Sequence, residues 1–86
     1  MNSKKIYAIL KSVLADLTGK DKGDIFADDN LRNGLRFTSA GLFSLAVDLN
    51  EGFQLEGILI NPTLHGDETM EAQTVRDLRI LISKRF

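Results

Sequence analysis

Ile6, Ile9, Leu10, Val13, Leu14 and Leu17 recur at steps of three and four, with Lys4, Lys5, Lys11, Ser12 and Asp16 between them. That spacing winds the apolar side chains onto one face of a helix. Asn2 or Ser3 is placed to cap its start and Thr18-Gly19 to stop it, so the pattern predicts a helix over Ser3–Thr18. A polar connection follows from Gly19 to about Thr38. It is acidic at first, with Asp21, Asp24, Asp28 and Asp29, and turns basic at Arg32 and Arg36. Ile25, Phe26, Leu31, Leu35 and Phe37 are spread through it. A loop with that many large apolar residues is expected to lie on the core, each residue a peg.

A second helix is predicted from Ser39, where Leu42, Phe43, Leu45, Ala46, Val47 and Leu49 follow closely and Asp48 and Asn50 are the early polar breaks. A helix apolar on more than one face is either central in its bundle or turns an oily surface to a partner. Two endings are open. Gly52 is a stop, yet Phe53, Glu56 and Ile60 continue the helical spacing, and residues 53–60 also suit short strands around Gly57. Asn61-Pro62 ends either version. Thr63 to Gly66 reads as loop, and Asp67 as the cap of a short helical turn through Met70 and Ala72. Thr74-Val75-Arg76-Asp77 fits a capping box, and Val75, Leu78, Leu81 and Ile82 form the stripe of a last helix with basic Lys84-Arg85 at its end. The expected fold is all-α: a small four-helix bundle of three main helices and one short one, with a long loop between the first two.

Composition narrows the function. The chain has 86 residues, 11 Lys and Arg against 12 Asp and Glu, a net charge of −1 and no cysteine. One domain is expected at this length. The balanced charge argues against a nucleic-acid binder, which carries a basic face. The lack of cysteine excludes disulfides, zinc–thiolate sites and a cysteine nucleophile, so thiol chemistry has to be borrowed. No apolar run approaches the ~18 residues of a membrane helix. The basic start, Met1-Asn2-Ser3-Lys4-Lys5, leads into a helix and not a signal peptide. A cytoplasmic monomer is the expectation.

No phosphate-binding glycine loop, dinucleotide fingerprint or paired acid/base carboxylates are present, which speaks against a stand-alone enzyme. The single histidine, His65, sits in a turn-like stretch and reads as a solvated loop residue. Asp21, Asp24, Asp28 and Asp29 miss the alternating ligand spacing of a calcium loop. What remains is a hydroxyl pair, Thr38-Ser39, between the pegged loop and the oily helix. One of the two is expected to cap the helix. Ser39 also stands where backbone N–H groups and the helix dipole favour a phosphate.

The run Leu35-Arg36-Phe37-Thr38-Ser39-Ala40-Gly41-Leu42-Phe43-Ser44-Leu45-Ala46-Val47-Asp48-Leu49-Asn50-Glu51-Gly52-Phe53 resembles the second-helix region of acyl carrier proteins. In that family a Leu-Gly-x-Asp-Ser-Leu motif opens the helix, and apolar residues follow four, six, ten and fourteen positions after the serine. Phe43, Leu45, Leu49 and Phe53 stand at those positions, and Thr74-Val75 with Leu78 looks like the family's closing helix. The resemblance covers nearly the whole chain. It departs at Thr38, where the motif has Asp, at Arg36, where it has Gly, and at Ala40, where it has Leu. Ser44 stands where an acid is usual, and the segment from Phe53 to Thr74 is several residues longer than is common.

The resemblance implies a specialised acyl carrier protein, with 4′-phosphopantetheine from coenzyme A attached to Ser39 and acyl groups carried on it as thioesters. Thr38 is the altered motif position beside the attachment point. The implied partners are a phosphopantetheinyl transferase and the enzymes that load and take the acyl group, in lipid synthesis (envelope lipid or lipid A included) or secondary-metabolite synthesis. Phe43, Val47 and Arg36 are candidate partner contacts, more apolar than charged. Leu45, Ala46 and Leu49 are candidate walls of an acyl pocket, and each is also explained as core. The alternative is a non-enzymatic interaction module that docks through the apolar second helix and carries no cofactor.

Overall fold

Asn2 accepts the Lys5 backbone N–H at 2.9 Å and opens helix α1, Ser3–Thr18, which Gly19 closes at φ 76. The computed structural model describes all 86 residues. It contains a 3-10 turn at Lys22–Asp24 and three further helices: α2, Ser39–Leu55; α3, Gly66–Glu71; and α4, Val75–Ser83. There is no strand, only an isolated bridge between Asn30 and Thr74. α2 packs on α1 and α3, and α1 packs on α4. The expected all-α architecture is therefore present, and the strands considered around Gly57 are absent.

α2 runs through Gly52 for a reason outside its own sequence. A Cβ on Gly52 would fall 2.5 Å from Val13 Cγ2, so the missing side chain is what lets α1 and α2 approach. Phe53, one residue on, is fully buried and gains from continuing the helix. The end comes at Glu56-Gly57, where Gly57 takes φ 76 and Ile58 N–H returns to the Phe53 carbonyl at 2.9 Å. The segment beyond is held by Asn50, whose side-chain amide donates to the Leu64 carbonyl at 3.1 Å while its Oδ1 accepts the Leu64 N–H at 2.9 Å. Thr69, fully buried, donates to the Leu42 carbonyl at 2.6 Å and joins α3 to α2.

Eighteen buried apolar residues from the helices, the long loop and the later connections (Ile60, Leu64, Ala72) form a single cluster. Ile25, Leu31 and Leu35 are buried pegs, and Phe37 is packed against the cluster in part. Phe26 is not a peg. Its N–H bonds the Asp29 carboxylate at 2.8 Å in a local turn, and the residue is 59% exposed. Leu17 likewise lies outside the core, 46% exposed at the edge of a depression shared with α2. α3 begins at Gly66, so the cap position belongs to His65 and not to Asp67, which lies in the first turn; the Glu68 carboxylate accepts the His65 N–H at 3.1 Å. The α4 box forms as the sequence predicts: Asp77 N–H to Thr74 Oγ1 at 3.2 Å and Thr74 N–H to Asp77 Oδ2 at 3.1 Å.

Arg85 fastens the end of the chain. Its Nη2 donates to both Glu68 oxygens at 2.7 Å, its Nε to the Pro62 carbonyl at 2.8 Å and its Nη1 to the Leu81 carbonyl at 3.0 Å. The Arg85 bond first, and the His65 N–H second, hold the Glu68 carboxyl below the usual carboxylate range. A carboxylate depressed in the native state stabilises the fold above its unfolded pKa and loses that contribution as pH falls through the native value. Glu68→Gln is therefore expected to cost about 1 kcal/mol at pH 7, a modest figure because the pair is partly solvated. The variant should also lose stability less steeply than wild type from about pH 4.3 downward. Urea midpoints of both proteins between neutral and acid pH check this.

Candidate functional site

Thr38 and Ser39 divide two tasks at the start of α2. Thr38, in extended backbone geometry, accepts the Gly41 N–H on Oγ1 at 3.0 Å and is the cap. Ser39 is the first helical residue, exposed, and its hydroxyl takes no part in capping. Instead Ser39 Oγ accepts a hydrogen bond from Arg32 Nη1 at 2.7 Å. The other arm of the same guanidinium, Nη2, donates to the Met70 carbonyl near the end of α3 at 3.2 Å.

The root of Arg32 is fixed as well. Its N–H and that of Asn33 both donate to Asn30 Oδ1, at 3.0 and 2.8 Å. Its neighbour Leu31 is fully buried and donates its N–H to the Gln73 carbonyl at 2.8 Å. An exposed hydroxyl, a helix start and a hydrogen-bonded cation thus meet at one point. Composition alone does not single out Arg32. The one signal it leaves in the sequence is the basic turn of the loop ahead of Ser39.

Arg36 is exposed and adopts φ 68, a left-handed conformation that side chains resist and glycine accepts. Arg36→Gly is expected to raise stability by about 0.5–1 kcal/mol, relief of strain outweighing the looser unfolded chain. A higher urea midpoint with unchanged slope checks it.

Phe43 and Val47 follow Ser39 at four-residue steps, which sets them on one face of α2. They are 52% and 57% exposed. With Ser44, Ala46, Leu64 and His65 they line a surface groove of about 550 Å³. The Phe43 ring lies against the start of α3, where a Cβ on Gly66 would come within 2.5 Å of it. Leu45 and Leu49 are completely buried and line none of the surface depressions; Ala46 is 2% exposed and borders the groove. Any chain passing between the helices must first part them.

Two acids of the loop have partners. Asp29 holds the Phe26 N–H, and Asp28 pairs with Arg76 across to α4. No group of His, Cys, Asp and Glu is placed to hold a metal ion. No helix is long and apolar enough to cross a membrane. No protein-family model matches the chain, and no curated protein matches it.

Proposed function

We propose that the protein is a specialised acyl carrier that receives 4′-phosphopantetheine on Ser39 Oγ. The observation that carries the reading is the exposed Ser39 hydroxyl at the head of α2, left free by the Thr38 cap and met by the Arg32 guanidinium. The residues suit the group. The oxygen is open to a transferase, Arg32 supplies a cation beside a phosphodiester, and the helix start adds its positive end. Bound there, the group supplies the thiol that a chain without cysteine lacks, for acyl transfer as thioesters.

The chain's own part is to present the arm and to be recognised. Ser39, Phe43 and Val47 share a face, so enzymes that load or take an acyl group would meet the attachment point and an apolar surface together. The acids of α2 are few, Asp48 and Glu51, and this favours partners held by apolar contact more than by charge. Lipid synthesis, envelope lipids included, and secondary-metabolite synthesis are the partner classes in view.

The test is covalent loading. Incubation with coenzyme A and a broad-specificity phosphopantetheinyl transferase should add one phosphopantetheine to the intact mass. A second reading has its own observation, the exposed Phe43 and Val47: a docking module that works without a cofactor. It is favoured if no arm is accepted and a partner still binds through Phe43.

A further inference from the structure

We propose that Arg32 is the positioning residue of the Ser39 site, holding the hydroxyl before modification and pairing with the anionic oxygens of the phosphodiester after it. This rests on the carrier reading and extends it to a residue outside the attachment motif.

The geometry supports the assignment in three ways. Arg32 Nη1 is 2.7 Å from Ser39 Oγ, so its cation already lies at the atom that becomes the ester oxygen. Nη2 is committed separately to the Met70 carbonyl at 3.2 Å, and the backbone behind it is pinned by Asn30 Oδ1. A side chain held from both ends loses little freedom when it takes up an anion. A planar guanidinium also places its donors on separate nitrogens in a rigid fork, a span that the single nitrogen of an ammonium lacks. On esterification Oγ becomes a poorer acceptor, while the non-bridging oxygens that share the negative charge appear two bonds away, on phosphorus. The Nη1 donor is then expected to trade a neutral hydrogen bond for a charge-assisted one. Arg36, the other cation nearby in sequence, makes no hydrogen bond to Ser39.

The experiment compares loaded and unloaded protein for wild type, Arg32→Gln and Arg32→Lys, so that transferase contacts do not enter. At low salt, loading should raise the wild-type Tm by about 2–4 °C, the size expected of a solvated ion pair in a small domain. Loading should leave the Tm of Arg32→Gln unchanged and raise that of Arg32→Lys by less than wild type. The ³¹P resonance of loaded wild type should move as NaCl rises to about 1 M, where screening is nearly complete, and that of loaded Arg32→Gln should stay in place. An equal Tm gain and an equal ³¹P salt response in wild type and Arg32→Gln would overturn the Arg32 assignment and leave the carrier reading standing. Failure of wild type to take any arm would remove both.

Discussion

Leu49→Ala is expected to destabilise the protein by about 2–5 kcal/mol, the range for emptying a fully buried leucine site. An 86-residue domain has roughly 4–13 kcal/mol in all, so the variant should be largely unfolded under mild denaturant and marginal at growth temperature. The effect is large because α2 is the helix on which both α1 and α3 pack, and Leu49 lies in the single core cluster. Val47→Ala, two residues away and exposed, is the internal control and should change stability by no more than about 0.5 kcal/mol. Urea unfolding followed by circular dichroism measures both. A loss below about 1 kcal/mol for Leu49→Ala would mean that α2 is not the centre of the bundle.

Ser39→Ala should abolish covalent loading and leave the fold nearly untouched. The helix cap belongs to Thr38, so removing the Ser39 hydroxyl costs one exposed hydrogen bond to Arg32, about 0.5–1 kcal/mol. Thr38→Ala behaves in the opposite way. It should lose about 1 kcal/mol of stability through the missing cap while keeping the oxygen that takes the arm. The two variants separate structural from chemical hydroxyls at adjacent positions. If Ser39→Ala were loaded as fully as wild type, Ser39 would not be the attachment site.

What the sequence reveals follows from the range of the forces involved. The bounds of α1 are legible because the apolar stripe, Asn2 and Gly19 act within a few residues of one another. The α4 box is legible for the same reason. The fate of Gly52 is not, because it depends on Val13 in another helix, and a helix-weakening residue is kept where two helices must touch. Phe26 reads as a peg by hydropathy, but the Asp29 turn directs it outward. At the candidate site, Ser39, Phe43 and Val47 are visible in the spacing of α2. Arg32 is not: its bond to Ser39 spans seven positions across an irregular loop with no periodicity, and the bond to Met70 that orients it joins residues 38 positions apart. Likewise, only the fold distinguishes which hydroxyl caps the helix.

The central claim is that Ser39 carries a phosphopantetheine arm, and the intact mass of the protein purified from its own cell tests it most directly. The account predicts a mass above that of the bare chain by one phosphopantetheine, with or without an acyl group, and an increment that maps to the peptide containing Ser39. A bare chain mass, with that peptide unmodified, would contradict the account.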